Sequence, residues 1–113
     1  MHEMSLAEGV MEIVEKAVAE AGCSKVKEIR LEIGALSGVE VEAMRFCMDA
    51  VLRGGPAEGA AVVFEVTPGL GWCMQCADSV PIAALYEACP RCGSYQVQAT
   101  GGMEMRVKDL LVE

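Results

Sequence analysis

Histidine is almost absent from this sequence: His2 is the single one in 113 residues. A multi-histidine metal site and most acid–base pairings are therefore excluded, and no phosphate-binding loop or nucleophile–base arrangement is present, so no enzyme is expected. Basic residues are also scarce, 9 Lys and Arg against 17 Asp and Glu, for a formal charge of −8. A polyanionic nucleic acid does not suit such a chain. Aromatic side chains are limited to Phe46, Phe64, Trp72, Tyr86 and Tyr95, which leaves aliphatic residues and eight methionines to fill the interior. No apolar run approaches the roughly 18–20 residues of a membrane span, and the first residues lack the basic and apolar regions of a signal peptide. The expectation is a cytoplasmic protein of about one domain's length with no membrane partner.

The residues that are present fall into clear periods. Ser5-Leu-Ala-Glu8 has capping-box spacing and predicts a helix N-cap at Ser5. Leu6, Val10, Ile13, Val14, Ala17 and Val18 then recur at helical spacing up to Gly22, which supplies a left-handed stop. From Lys25 to Ile33 the period falls to two, with Ile29, Leu31 and Ile33 on one face and Glu28, Arg30 and Glu32 on the other. Ser37 and Glu40 repeat the capping-box spacing ahead of a second helix on Val41, Met44, Met48, Val51 and Leu52, which stops at Gly54-Gly55-Pro56. A strand is predicted at Ala61–Thr67, with Val62, Phe64 and Val66 in phase, and a last one at Met103–Lys108. Strand, helix, strand in this order favours a parallel crossover, with the terminal strand returning to the same sheet. The predicted fold class is α+β: two helices packed on a small mixed three-stranded sheet, with an inserted zinc-ribbon-like lobe. Residues 1–68 plus 102–113 form the body and 69–101 the lobe. No strand pattern is legible inside the lobe. Glycines at both of its connections, Gly69 and Gly71 on one side and Gly101 and Gly102 on the other, predict that it can reorient.

The lobe contains Cys73-Met-Gln-Cys76 and, twelve residues on, Cys89-Pro-Arg-Cys92-Gly93. Two residues between cysteines let a tight turn aim both sulfurs at one point, and two such turns complete a tetrahedron of thiolates. Zn²⁺ suits four soft ligands and has no ligand-field preference. Iron is the other occupant to weigh, since the second pair resembles a rubredoxin knuckle, whereas the first lacks its Pro and Gly. A full sulfur shell leaves no open position for catalysis, so the site is expected to be structural. Zinc ribbons also recognise nucleic acid, but from Cys73 to Thr100 the basic residues amount to Arg91 alone, against Asp78 and Glu87. Contact with protein remains open. Cys23 and Cys47 lie outside any ligand spacing and read as small buried hydrophobes. Three disulfides would instead imply a secreted domain.

At the other end, His2 is by default a solvated terminal residue. Its position nonetheless allows a free amine on Met1, the amide nitrogen of His2 and the imidazole to close fused chelate rings on one ion. Such nitrogen ligation suits Ni²⁺ or Cu²⁺, and Glu3 places a carboxylate beside it. Composition does not choose between the two metals.

Together, Met1-His2-Glu3-Met4-Ser5-Leu6, the two cysteine pairs, Leu85-Tyr86-Glu87 and Gly102-Met-Glu-Met-Arg-Val107 resemble the HypA/HybF family of hydrogenase-maturation nickel metallochaperones, over essentially the whole chain. The resemblance implies that His2 is a principal nickel ligand, with backbone nitrogens and Glu3 around it, and that Cys73, Cys76, Cys89 and Cys92 hold structural Zn²⁺. It implies transport of Ni²⁺ to the large subunit of [NiFe]-hydrogenase, with the GTPase HypB as a partner. The alternatives from other classes are a zinc-ribbon protein-interaction adaptor and a rubredoxin-like iron electron carrier. Either a monomer or a homodimer is compatible with the sequence, given exposed strand edges.

Overall fold

A computed structural model describes residues 2–113. The elements in order are helix α1 (Glu3–Ala21), strand β1 (Val26–Gly34), helix α2 (Val41–Val51) and strands β2 (Ala61–Thr67), β3 (Leu70–Cys73), β4 (Asp78–Pro81), β5 (Val97–Gly101) and β6 (Met105–Val112). They form two three-stranded sheets, in the orders β2-β1-β6 and β4-β3-β5. The first is mixed. Ala35 N donates to Thr67 O where β1 and β2 both end, so these strands run parallel. Glu113 N to Lys25 O and Gly34 N to Glu104 O join opposite ends of β1 and β6, which are therefore antiparallel. The fold is thus the expected α+β arrangement of two helices with small sheets.

The chain divides into two compact units: residues 1–31, 39–65 and 106–113, and residues 32–38 with 66–105. The boundary falls within β1, β2 and β6, and the segment Glu32–Gly38 belongs with the second unit.

In the first unit α1 packs against α2. Ala7, Val10 and Val14 of α1 are buried, as are Met44, Cys47 and Met48 of α2 and Val26, Ile29 and Leu31 of β1. The alternation expected for β1 is present. Gly22 ends α1 in the left-handed conformation, φ 68°, as expected. The two helix starts differ from expectation. α1 begins at Glu3 with His2 as N-cap, and α2 at Val41 with Glu40 as N-cap, and neither cap makes a side-chain hydrogen bond. Ser5 lies inside α1, and Ser37 in the turn after β1, where its N–H bonds to Gly34 O at 3.0 Å. The reason is tertiary. In a capping box the third helical residue returns to the N-cap N–H. In α2 that residue is Ala43, which has no acceptor. Glu3 of α1 takes its place: it is buried, and its Oε2 accepts the Glu40 N–H at 3.2 Å.

On the sheet, Arg30 grips Asp109 through two hydrogen bonds, Nε to Oδ1 at 2.6 Å and Nη2 to Oδ2 at 2.5 Å. The guanidinium holds the Asp109 carboxyl below the usual aspartate range. A depressed folded-state value means that this stabilisation is complete above the unfolded value of about 3.9. It disappears as pH falls through the lower folded value. Asp109→Asn is expected to lower the thermal midpoint modestly at neutral pH, because the pair is half exposed. The difference from the parent should shrink as pH falls below the unfolded aspartate value and vanish below the lowered Asp109 value, which thermal melts across pH will check.

Candidate metal centre

The second unit contains three short strands that have no legible period in the sequence, and the absence of strands expected there is corrected. β3 pairs antiparallel with β4, Trp72 opposite Ser79, and with β5, Trp72 opposite Gln98. Leu36, Cys73, Val80, Ile82 and Cys89 form its buried cluster, with Cys76, Val97 and Ala99 packed against it. Among the connecting glycines, Gly69 and Gly102 have backbone packed closely against them, as does Gly34 at the end of β1. A Cβ on Gly102 would collide with the Pro68 carbonyl, and one on Gly34 with the Gly102 carbonyl. Leu36 N meanwhile donates to Gly102 O at 2.7 Å. Glycine at these positions permits close backbone approach.

Two turns at one end of this sheet carry the four spaced cysteines. In the first, which joins β3 to β4, Cys76 N–H points at Cys73 Sγ, 3.4 Å away. In the second, Arg91 N–H points at Cys89 Sγ, also at 3.4 Å, and Gly93 N bonds to Cys89 O at 2.9 Å. The turns are tied together by Met74 N to Gln96 O at 2.9 Å and by Arg91 Nη1 to Asp78 Oδ2 at 3.0 Å. Cys73 Sγ and Cys92 Sγ come within 3.6 Å, Cys76 Sγ and Cys89 Sγ within 3.9 Å, and all four sulfurs lie within 4.8 Å of one another. A tetrahedron with metal–sulfur bonds of about 2.3 Å has edges of ~3.8 Å, so the donor set fits a thiolate-bound ion such as zinc. Cys73 and Cys89 are buried, Cys76 is half-buried and Cys92 is exposed.

The electrostatics are those of a site built to hold thiolates. Burial raises the Cys89 thiol, but the N–H groups of Cys92 and Arg91 outweigh it and bring the thiol down to about 6. Cys76 is pushed up to about 12 by its hydrogen bond with Cys92 and by burial. Four negative sulfurs at these separations repel one another strongly, and a divalent cation among them removes that repulsion.

The residue after each pair adopts positive φ: Gly93 at 80° and Ala77 at 51°. Their equal offset from the two cysteine pairs is the signal that would have identified Ala77. An L-residue there carries a cost of about 1 kcal/mol or more. Ala77→Gly is therefore expected to stabilise the metal-loaded protein by about 0.5 kcal/mol, after the added freedom of the unfolded chain is subtracted. Gly93→Ala, with open space around it, should destabilise by about 1 kcal/mol. Denaturant titrations of both variants with metal bound will measure the two signs.

The N-terminal candidates lie in the other unit. His2 is exposed, and its carbonyl accepts the Leu6 N–H at 2.9 Å, the first bond of α1. Glu3 is buried and engaged with Glu40 N–H, as described above. Met1 lies outside the described residues. Among the described residues, the four cysteines are the group of His, Cys, Asp and Glu side chains whose ligand atoms converge. No helix among those residues is long and apolar enough to cross a membrane.

Similar proteins agree with this architecture. The solution structure of the Ni metallochaperone HypA from Helicobacter pylori superposes with a TM-score of 0.72 at 22% identity, covering 99% of this chain and 97% of that one. A second solution structure, of HypA protein, gives 0.67 at 21% identity, covering 100% and 97%. Both likenesses concern the fold. In sequence, the hydrogenase maturation factor HypA of Azoarcus sp. (strain BH72) is 63% identical over 110 residues, 97% of this chain and 96% of that protein. The factor of the same name from Dechloromonas aromatica (strain RCB) is 58% identical over 113 residues, the full length of both. The family described as "Hydrogenase/urease nickel incorporation, metallochaperone, hypA" matches residues 1–112, and with these relatives it shows that the chain belongs to the HypA family of hydrogenase maturation factors.

Proposed function

We propose that this protein carries Ni²⁺ at its N-terminus and passes it on during [NiFe]-hydrogenase maturation, without performing catalysis itself. Membership of a nickel metallochaperone family is the observation that carries the reading. His2, the single histidine, is exposed at the N-cap of α1, where its imidazole is accessible to an ion and to an acceptor. The ligand set would be the His2 imidazole and main-chain nitrogen, the amine of Met1 and the Glu3 carboxylate. Glu3 is the weakest member, because its carboxylate already holds the Glu40 N–H.

Zn²⁺ bound by Cys73, Cys76, Cys89 and Cys92 would offset much of the repulsion among the thiolates and hold the two turns together. With no coordination position left open, it would have a structural role. Residues 69–101 then act as the supporting lobe, and residues 1–68 with 102–113 as the nickel-bearing body. The partners are HypB and the hydrogenase large subunit, in the cytoplasm, with the chain as monomer or homodimer. Release to the large subunit would follow when its ligands replace the imidazole. Loading should weaken on acidification, since a protonated imidazole cannot bind a metal.

The test uses the untagged chain, loaded with nickel and mixed with nickel-free hydrogenase large subunit and HypB. Transfer of nickel and recovery of hydrogenase activity are expected. Retention of no nickel by the chain, or no faster recovery than with free Ni²⁺ at the same concentration, would contradict the proposal.

A further inference from the structure

The members of the cysteine quartet differ in their access to solvent. Cys73 and Cys89 are buried and Cys76 is half-buried, whereas Cys92 is exposed. Its neighbours in the second turn, Pro90, Arg91 and Gly93, are exposed as well. Nothing lies within 4 Å of the position that a Cβ on Gly93 would take, so the turn is open beside Cys92. Across the quartet, the Sγ of buried Cys73 stands 3.6 Å from the Sγ of Cys92, closer than the 3.9 Å between Cys76 and Cys89. An oxidant-reactive cysteine needs a thiolate, access, and a second thiolate nearby to resolve the product. Metal ligation keeps cysteine deprotonated, Cys92 supplies the access, and Cys73 supplies the resolving sulfur.

We propose that Cys92 is the point at which a hydroperoxide oxidises the quartet, and that Cys73 closes a disulfide with it. In the first step the Cys92 thiolate attacks one peroxide oxygen. An S–O bond forms, the O–O bond breaks, and hydroxide leaves a sulfenic acid on Cys92. In the second, the Cys73 thiolate attacks the Cys92 sulfur. The S–S bond forms, the S–O bond breaks, and a second hydroxide leaves. Two thiolates have then given up two electrons, and hydrogen peroxide has become two hydroxide ions. A disulfide of about 2.05 Å draws the two sulfurs some 1.5 Å closer than they stand in the quartet. Cys76 and Cys89 alone remain to hold an ion, so zinc is released and the two turns lose their common anchor. The site is thereby a reversible, oxidant-sensitive support for the lobe, since a dithiol reductant returns both thiolates.

This inference rests on zinc filling the quartet, and the experiment separates the two. The zinc-loaded chain is treated with hydrogen peroxide in the presence of a coloured zinc indicator, and peptide mapping locates the disulfide. Zinc release with a Cys73–Cys92 disulfide is expected, and a dithiol reductant with added zinc should reverse both. Cys92→His keeps a zinc ligand that forms no disulfide, and should release zinc about tenfold more slowly. Cys76→His has the same mixed donor set with Cys92 in place, and should release it at close to the parent's rate. Should either variant fail to hold zinc, limiting iodoacetamide on the zinc-loaded parent replaces it. Within the quartet, Cys92 should then be alkylated about tenfold faster than Cys73 or Cys89. Zinc retained under peroxide, a disulfide joining any other pair, equal release by the two variants, or first alkylation elsewhere in the quartet overturns the proposal and leaves the zinc site standing. A chain that holds no zinc before oxidation removes both.

Discussion

Replacing Cys89 by serine is expected to release the zinc and dismantle the β4-β3-β5 sheet. Cys89 is at once a buried member of the second unit's small hydrophobic cluster and one corner of the sulfur tetrahedron. The strands it supports are only 4, 4 and 5 residues long, and the cluster contains five buried side chains. Burial on that scale does not offset the entropy of ordering such a segment, so the metal must supply the difference. Zinc bound by four such ligands contributes of the order of 10–16 kcal/mol to folding in small metal-dependent domains. Serine offers a poor ligand, and the three remaining thiolates lose much of that energy. Amide exchange across 70–73, 78–81 and 97–101 should become unprotected in Cys89→Ser, and in the parent after strong chelation. Cys47→Ser, outside the quartet, should keep its zinc. A Cys89→Ser protein with full zinc content and protected strands would remove the metal from its supporting role.

Replacing His2 by alanine should have the converse effect, abolishing function without disturbing the fold. The His2 side chain makes no cap hydrogen bond, and its structural contribution is a carbonyl that alanine also possesses. Stability should therefore change by about 0.5 kcal/mol or less. Nickel affinity of the untagged chain should fall by about a hundredfold or more, since even residues supporting a metal ligand are worth about 10–100-fold and this one is proposed as the ligand itself. Equilibrium dialysis or competition with a coloured chelator measures the change. Unchanged affinity and stoichiometry would transfer the nickel site elsewhere.

The contrast between these variants reflects how differently the two regions could be read from sequence. Cysteine spacing encodes local geometry, because two intervening residues force the turn that aims both sulfurs. The structure duly brings Cys73, Cys76, Cys89 and Cys92 together. The strand at Ala61–Thr67 and the glycine stop at Gly22 were legible for similar reasons, each resting on neighbouring residues. What escaped rests on contacts distant in sequence. At the start of α2 the expected Ser37 box gives way to Glu3, which reaches across 37 positions to the Glu40 N–H, a partner no local pattern records. The lobe strands are too short to show a period of two, and β3 buries a glycine and a cysteine where alternation would lead one to expect aliphatic residues. Gly69 and Gly102 read as hinge glycines because sequence does not reveal the backbone packed against them. At the N-terminus, residue chemistry left nickel and copper equally open, and only the resemblance to a family singled out nickel.

The central claim is that two metals occupy two chemically distinct sites on this chain, sulfur for one and nitrogen for the other. X-ray absorption at both metal edges of one sample, the untagged protein loaded with zinc and nickel, tests it most directly. The account predicts a zinc edge with four sulfur neighbours at about 2.3 Å and a nickel edge with nitrogen and oxygen neighbours only, including the multiple scattering of one imidazole. Sulfur in the nickel shell, or nickel scattering unchanged in His2→Ala, would contradict it.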